Sequence, residues 1–303
     1  MRVADRAIVR LLPAVPRSVV QRLSAPYIAG ATLGEARATV ARLNDKGKLA
    51  TVDVLGEEVR RAAEAEAVAH AYHAALDAIA ADRLDANVSV KLTALGLEID
   101  RDLCRSLIAT VVADAAGRGI FVRIDMEHSA CTDDTLRIYR ELREFGRDNV
   151  GIVLQSYLRR TLADVAHLAE LRPNVRLCKG IYVEPPSIAF PGRAAIRTSF
   201  VQVLDALFEQ GCYVGVATHD EWLIGKTLER VAGMERDAYE LQMLLGVREG
   251  RATELVEAGH RLRVYVPYGD RWYEYSLRRL QENPALAGML AKATLSRFLP
   301  GRS

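Results

Sequence analysis

The chain has 303 residues, half of them hydrophobic and about a quarter charged, a composition typical of a globular protein with one large core. Its 41 basic and 39 acidic residues leave a net charge of +2, and no basic stripe interleaved with aromatic residues occurs, so no nucleic acid is expected as a partner. The four cysteines lack C-x-x-C spacing, which argues against a zinc ribbon or a secreted disulfide framework and favours a reducing, cytoplasmic setting.

The first 30 residues are basic and amphipathic, with breaks at Pro13 and Pro16. Their charges are one acid, Asp5, and five arginines: Arg2, Arg6, Arg10, Arg17 and Arg22. This pattern indicates either a helix that docks on the rest of the chain or a contact to an anionic membrane surface or a targeting role. No apolar run reaches the roughly 20 residues that span a bilayer. Any membrane contact is therefore expected to be peripheral, at the inner face.

Short runs rich in β-branched residues alternate with longer helical patterns. The eight predicted strands are LATVDVLGE (49–57), ANVSVKLT (86–93), IFVRIDME (120–127), GIVLQSY (151–157), VRLCKGIY (175–182), YVGVATH (213–219), AYELQMLL (238–245) and RLRVYVPYG (261–269). Helical spacing predicts helices at 58–81, 101–117, 133–147, 161–171, 194–210, 221–233 and 249–258. The seventh run is ambiguous, because Glu240, Leu241, Met243 and Leu244 also suit the end of a helix.

Strict alternation of strands and helices predicts parallel strands joined by right-handed crossovers, and eight such strands close into a barrel. We therefore predict the α/β class and a single domain over residues 1–303. This domain would comprise an N-terminal helical segment (1–45), a (βα)8 TIM barrel (46–290) and a final helix over the barrel mouth.

Polar side chains stand at or near the carboxyl ends of all eight predicted strands: Glu57, Lys91, Asp125 with Glu127, Gln155, Lys179, Thr218 with His219, Gln242 and Tyr265. Active sites of eight-stranded barrels form at that end. Any one of these residues could simply cap the helix that follows it. Together they would carry a large desolvation cost unless they paired with one another or with a polar ligand, which favours an active site.

A helical stretch, DRWYEYSLRRLQENP, follows the eighth strand. It carries Tyr275, Arg278, Arg279 and Glu282 on neighbouring faces. Two adjacent arginines suit a bidentate grip on a carboxylate or a phosphate, which predicts an anion clamp over the barrel mouth. The alternative is a solvated basic face with an ion pair between Arg279 and Glu282.

Nine blocks of the sequence resemble, in order, those of the proline dehydrogenases: LGE (55–57), SVKLT (89–93), RIDME (123–127), VLQSYL (153–158), VRLCKGIY (175–182), ATHD (217–220), YELQMLLG (239–246), YVPYG (265–269) and YSLRRLQENP (275–284). The resemblance implies a distorted eight-stranded barrel that holds FAD. It also implies oxidation of L-proline to 1-pyrroline-5-carboxylate, the first step of proline catabolism to glutamate, with the electrons delivered to a membrane quinone. Because no length remains for an aldehyde dehydrogenase or a DNA-binding module, a monofunctional enzyme is expected.

Residue by residue, the resemblance assigns the substrate carboxylate to Lys91, Arg278 and Arg279, in agreement with the anion clamp. It also implies that Glu57 pairs with Arg278 as a gate. The pyrrolidine ring would pack in a cage formed by Tyr182, Leu244, Tyr265 and Tyr275. Relatives that oxidise hydroxyproline carry a smaller residue in place of Tyr265, and the bulky tyrosine should clash with a ring hydroxyl, so L-proline is the favoured substrate.

The resemblance further implies the flavin contacts and the catalytic pair, Asp125 and Arg176. Arg176 would lie against the reactive edge of the flavin, where a fixed positive charge favours the anionic reduced ring. The other FAD-binding residues would be Met126, Gln155, Lys179, Gly180, Ile181, Thr218, His219 and Glu282. Val183 stands where some relatives have an aromatic residue, and residues 184–198 match only loosely, so no contact to the adenine half of FAD is assigned.

Other classes of protein find less support in the sequence. No G-x-G-x-x-G follows a strand, and neither a P-loop motif nor H-E-x-x-H occurs. The main alternative is a Schiff-base lyase that uses Lys91 or Lys179 with an arginine clamp, followed by a binding protein without catalysis. No metal site is expected, because His128, His167 and His260 lack ligand-like spacing and are typical of packing or surface residues.

Overall fold

Parallel strands close into a barrel in the computed structural model, which describes residue 20 and residues 24–56, 59–273, 275 and 276. The strands are β1 (Leu49–Val54), β2 (Ala86–Val90), β3 (Val122–Ile124), β4 (Val150–Gln155), β5 (Val175–Cys178), β6 (Val214–Ala217), β7 (Tyr239–Leu244) and β8 (Leu262–Tyr268). Each strand pairs with the next, and β8 pairs with β1 to close the ring. The predicted eight-stranded α/β barrel is therefore confirmed.

The ambiguous seventh run is a strand. It pairs in parallel with β6 on one side and with β8 on the other. Leu241 and Met243 belong to the apolar core, whereas Glu240 and Gln242 bond to polar side chains inside the barrel. This alternation has a period of two, which is the period of a strand and not of a helix.

Helices flank the strands throughout the described residues. The helix α1 (Leu33–Asn44) precedes β1, and one helix follows each strand from β1 to β7: α2 (Ala62–Ala81), α3 (Arg101–Gly117), α4 (Thr132–Glu144), α5 (Thr161–Leu168), α6 (Arg193–Glu209), α7 (Glu221–Arg230) and α8 (Glu249–Glu257). Single 3-10 turns lie at Ala25–Tyr27, Thr93–Leu95, Ser129–Cys131 and Ala169–Leu171. Within the described part of the chain, no helix has the length and apolar composition needed to cross a membrane.

A capping box begins α1. The side chain of Thr32 accepts a hydrogen bond from the Glu35 amide at 3.3 Å, and the Glu35 carboxylate accepts one from the Thr32 amide at 2.9 Å. Both bonds satisfy amides that the helix itself leaves without partners. The helix packs against β1 and β8. Residues 1–19 and 277–303 lie outside the described residues, so the domain boundaries and the final helix over the mouth stay predictions.

The barrel wall is apolar on its outer face and largely polar inside. Alternate strand residues such as Val52, Val88 and Ile152 belong to one buried apolar cluster with helix residues such as Leu76 and Ile108. The residues between them make hydrogen bonds across the interior, often to strands that are not neighbours. Because an unpaired buried polar group costs several kcal/mol, these bonds fix the interior side chains in place and so position the site.

Candidate active site

Lys91 lies at the barrel mouth, directly after β2. Its Nζ is 2.9 Å from both carboxylate oxygens of Asp53 in β1, 3.3 Å from the Tyr265 hydroxyl in β8, and 3.7 Å from a carboxylate oxygen of Asp125. Burial acts to lower the pKa of Lys91, but Asp53, Tyr265 and Asp125 outweigh it and raise that pKa well above its usual value. Lys91 is therefore held as a cation.

Asp125 follows β3 and accepts three hydrogen bonds. Its Oδ1 accepts from Ser89 Oγ at 2.6 Å and from Arg176 Nη1 at 2.7 Å, and its Oδ2 accepts from the Tyr265 hydroxyl at 2.8 Å. Burial acts to raise the pKa of Asp125, but Arg176 and Lys91 outweigh it and hold that pKa below its usual value. This carboxylate is therefore ionised at neutral pH.

Arg176 in β5 is buried, and its guanidinium is only partly used by the protein. Nε donates to Gln242 Oε1 at 2.6 Å, and Nη1 donates to Asp125 and, at 3.1 Å, to Ser89 Oγ. The guanidinium carbon lies 5.2 Å from the centroid of the Tyr265 ring. Nη2 is buried without a hydrogen-bond partner among the described residues. Since a buried donor without a partner is costly, Nη2 is suited to an acceptor on a bound ligand.

These side chains form one connected group, which we call the mouth cluster: Asp53, Ser89, Lys91, Asp125, Arg176 and Tyr265. Deeper in the barrel, Gln242 Nε2 donates to Glu240 Oε1 at 2.5 Å, and the same oxygen accepts from Arg263 Nε at 2.7 Å. The cluster is thus supported from below by a further ion pair. Positive and negative groups alternate from the mouth into the interior, which is the arrangement that makes buried charges tolerable.

The predicted flavin-binding residues lie around this cluster. Gln155 at the end of β4 donates to the Met126 carbonyl at 3.0 Å, and its Oε1 is buried without a partner in the described part of the chain. Lys179 Nζ lies 3.5 Å from a carboxylate oxygen of Asp220, and the Thr218 hydroxyl accepts from the Asp220 amide at 3.1 Å. Ile181 is exposed. The predicted flavin-binding residues thus include a buried polar atom without a described partner, Gln155 Oε1, and an exposed apolar side chain, Ile181.

Besides Lys91, the four residues of the predicted ring cage are described, and they are spread over the mouth. Tyr265 joins the mouth cluster, whereas the Leu244 amide donates to His219 Nε2 at 3.0 Å. The Tyr182 ring meets the His128 ring edge-on at 6.1 Å, and Tyr275 is buried in an apolar cluster with Ile28 and Leu55. The predicted contacts that lie outside the described residues are Glu57, Arg278, Arg279 and Glu282.

Two members of the mouth cluster were not predicted from the sequence. Asp53 is fully buried and binds Lys91 with both oxygens, and Ser89 bridges Asp125 and Arg176. Ser89 stands two residues before Lys91 and Asp53 stands four residues before Glu57, and a strand directs residues an even number of positions apart to the same face. A search for polar residues at that spacing would have found them. Glu127, which was predicted at the mouth, follows β3 and accepts a hydrogen bond from the Thr93 amide after β2 at 3.0 Å, and it makes no bond to the mouth cluster among those described.

Gly180, one of the predicted flavin contacts, adopts a φ of +102°, and a Cβ built on it would overlap the ring of Tyr157. We expect Gly180→Ala to lower the free energy of unfolding by about 2–4 kcal/mol, since backbone strain and overpacking each cost about 1–3 kcal/mol. Urea denaturation measures this loss. Gly192 is the matched control, because its φ is +80° but its Cβ would meet nothing within 4 Å. Equal losses in Gly180→Ala and Gly192→Ala would contradict the role of Tyr157.

Comparison with known proteins gives consistent matches over most of the chain. A family model described as Proline dehydrogenase matches residues 36–292. The chain is 39% identical over 274 residues to Proline dehydrogenase 1 of Bacillus subtilis subsp. natto, which covers 89% of this chain and 90% of that protein. It is 36% identical over 285 residues to Proline dehydrogenase of Deinococcus radiodurans, with 92% of both chains covered.

A solved structure agrees on the fold. The crystal structure of proline utilization A (PutA) from Bdellovibrio bacteriovorus, inactivated by N-propargylglycine, matches with a TM-score of 0.83 at 23% identity. The match covers 91% of this chain and 36% of the PutA chain, so this chain spans about a third of that protein. At this identity the likeness supports the barrel alone. The family model and the two relatives of similar length go further, and on their evidence the chain belongs to the proline dehydrogenase family.

Proposed function

We propose that this chain oxidises L-proline to 1-pyrroline-5-carboxylate by hydride transfer to FAD and passes the electrons to a membrane quinone, as the first step of proline catabolism to glutamate. The observation that carries the proposal is the mouth cluster, which sets a fixed cation, a fixed carboxylate and a partly used arginine at the carboxyl ends of the strands. Family membership supports the same reaction.

The residues at the barrel mouth fit a flavin. Arg176 Nη2 and Gln155 Oε1 are both buried without partners among the described residues, one a donor and the other an acceptor, and a flavin ring carries both kinds of group. The proposed FAD-binding residues in addition to these two are Met126, Lys179, Gly180, Ile181, Thr218, His219 and Glu282. When bound, FAD supplies the hydride acceptor.

The charges of the mouth cluster set a requirement on substrate binding. Lys91 already lies between Asp53 and Asp125, so its charge is largely offset by the protein. A proline carboxylate therefore needs further cations, and we assign these to Arg278 and Arg279, with Glu57 as the gate that pairs with Arg278. Tyr182, Leu244, Tyr265 and Tyr275 would surround the ring, which is the apolar lining that small-ligand sites use.

Lys91 and Asp125 act on the substrate through their fixed charges and not as a general base. Asp125 and Lys91 both keep their charges at neutral pH, because their pKa values are moved away from neutrality. Neither group therefore exchanges a proton in that range, and the amine of proline must lose its proton before oxidation. Holding the substrate in a reactive orientation is then the main contribution of the protein, a contribution that can reach several kcal/mol.

A pH dependence follows from these pKa directions. The pKa of Lys91 is raised and that of Asp125 is lowered, so neither group titrates between roughly pH 5 and pH 9. We expect kcat/KM for proline to rise about tenfold per pH unit through this range, toward the pKa of the substrate amine. Initial rates over a pH series measure the profile. A flat or falling profile between about pH 6 and pH 8 would contradict the assignment.

The arginine assignment predicts a separation of substrate binding from cofactor binding. Loss of a charge-assisted hydrogen bond costs about 1.5–3 kcal/mol, so Arg278→Met and Arg279→Met should each raise the proline KM by roughly 10–100-fold. The absorption spectrum of the bound flavin should be unchanged. Steady-state kinetics and a spectrum of each purified variant measure both quantities, and loss of flavin from both variants would remove the substrate role.

The electron acceptor and the location are further parts of the proposal. Arg2, Arg6, Arg10, Arg17 and Arg22 give the first 30 residues an excess of positive charge, which attracts an anionic lipid surface. We propose a cytoplasmic protein that meets the inner face of the membrane through this segment, where a lipid-soluble quinone is available.

One experiment separates the proposed function from its alternatives. The purified protein should be yellow, L-proline should bleach the colour, and a quinone should restore it. A colourless protein that substrate and borohydride trap covalently would indicate a Schiff-base lyase, and a colourless, inert protein would indicate a binding role. The lyase is already disfavoured at Lys91, because a Schiff base requires a neutral amine and the pKa of Lys91 is raised. Comparing kcat/KM for proline and hydroxyproline tests the role of Tyr265.

A further inference from the structure

Three side chains with metal-binding atoms meet at the edge of the barrel mouth, outside the mouth cluster. Glu98 lies in the turn between β2 and α3, and His128 and Cys131 lie in the turn between β3 and α4. His128 Nε2 is 3.0 Å from Glu98 Oε1 and 3.3 Å from Cys131 Sγ, and the three ligand atoms lie within 4.8 Å of one another. Tetrahedral zinc, with bonds of about 2.0–2.3 Å, places its ligand atoms about 3–4 Å apart.

We propose that Glu98, His128 and Cys131 form a binding site for Zn²⁺. A thiolate, an imidazole and a carboxylate are all zinc ligands, and the thiolate and imidazole favour zinc over magnesium or calcium. With His128 neutral, the deprotonated ligands carry two negative charges, which match a divalent cation. The H-x-x-C spacing of His128 and Cys131 is within the range that paired zinc ligands use. A fourth position is left for water or another ligand.

The turns that carry the three ligands are held in place by other bonds. Glu127 accepts from the Thr93 amide at 3.0 Å, which ties the turn after β3 to the turn after β2. Glu184 accepts from the amide and the hydroxyl of Ser129 at 2.7 and 2.8 Å. Asp100 follows the turn that carries Glu98, and its side chain caps the start of α3. Little ordering is therefore needed on binding, which favours affinity.

Two of the three ligand side chains are open to solvent, and the third is buried. The side chains of Glu98 and His128 are 61% and 38% exposed, whereas Cys131 is 4% exposed. An ion can therefore enter from solvent, while the sulfur lies beneath it. A simple His–carboxylate pair would explain the contact between Glu98 and His128 but not the sulfur beside them. Within the residues that the structure describes, no second trio of this kind occurs.

Zinc binding is measured on the purified protein as it exists, by equilibrium dialysis against ZnCl₂ and by the melting temperature with and without ZnCl₂. The wild type should bind one Zn²⁺ per chain, and its melting temperature should rise, because a ligand that binds only the native state stabilises it. Glu98→Gln, His128→Gln and Cys131→Ser should each weaken zinc binding by at least about 100-fold, since even partners outside the ligand shell are worth about 10–100-fold in affinity.

The matched control is His73→Gln. His73 lies 2.6 Å from Asp114 in a similar His–carboxylate pair without a thiol, so this variant should keep the zinc affinity of the wild type. His128→Gln changes a partly exposed residue and tests the site without disturbing the buried Cys131. Absence of zinc binding by the wild type overturns the proposal. Wild-type affinity in any of the three ligand variants also overturns it, as does loss of binding in His73→Gln.

Discussion

Lys91→Met should lower the free energy of unfolding by about 3–5 kcal/mol, the usual cost of leaving a buried charge without its partner. Asp53 is fully buried, and both of its oxygens accept from Lys91 Nζ at 2.9 Å. The substitution removes this cation and also a predicted contact to the proline carboxylate. We therefore expect kcat/KM for proline to fall by about 10–100-fold, which corresponds to one charge-assisted hydrogen bond.

A second substitution separates the two effects of Lys91→Met. In the double variant Lys91→Met/Asp53→Asn the buried carboxylate becomes a neutral amide, so most of the lost stability should return. The loss in kcat/KM should persist, because the cation is still missing. Urea denaturation and steady-state kinetics of wild type, both single variants and the double variant measure this cycle. If the double variant is no more stable than Lys91→Met, Asp53 is not the source of the cost.

The barrel could be predicted from local pattern because each strand has an apolar outer face and each helix an amphipathic one. The ends of the strands could not be predicted in this way. The predicted first and fifth strands run on to residues 57 and 182, whereas β1 ends at Val54 and β5 at Cys178. Lys91 and Asp125 continue the extended pattern in the sequence, but they lie just past the ends of β2 and β3. The Asp125 amide still donates to the Val90 carbonyl at 2.9 Å, whereas both side chains bond across the mouth. Hydrogen bonding, and not composition, decides where a strand ends.

The residues of the candidate site were predicted only in part, because the sequence shows positions along strands but not contacts between them. A position at a strand end indicates that a residue reaches the mouth, and this found Lys91 and Asp125. Tyr265, which was predicted near the end of its strand, lies three residues before the end of β8 and still joins the cluster. It does not show partners from distant strands, so Asp53, which lies in the apolar run LATVDV, was missed. His128 was interpreted as a packing or surface residue because no second histidine stands at ligand-like spacing from it. Cys131 follows it by three residues in the same turn, but Glu98 comes close only because the turns after β2 and β3 are adjacent in the structure.

Arg176→Met should reduce kcat by about 10²–10³-fold, the effect of removing one preorganised donor at a site of developing negative charge. Arg176 is held by Gln242 at 2.6 Å and by Asp125 at 2.7 Å, and its Nη2 is buried without a partner among the described residues. A fixed cation favours the more negative, reduced form of a bound flavin. The reduction potential of the bound flavin in Arg176→Met should therefore be lower than in the wild type.

The reduction potential of the bound flavin distinguishes an electrostatic role of Arg176 from a loss of packing. Arg176→Lys keeps the charge but not the bidentate geometry, so its potential should lie between those of the wild type and Arg176→Met. Arg263→Met is the matched control, because Arg263 is a partly buried arginine of the same barrel that bonds to Glu240 at 2.7 Å and to the Ala50 carbonyl at 2.7 Å, away from the mouth. The Arg263→Met variant should be less stable than the wild type, since Glu240 is left without the Arg263 cation. The reduction potential of its bound flavin should stay near that of the wild type. An unchanged potential in Arg176→Met, or an equal shift in Arg263→Met, would show that Arg176 acts through the fold and not through its charge at the flavin.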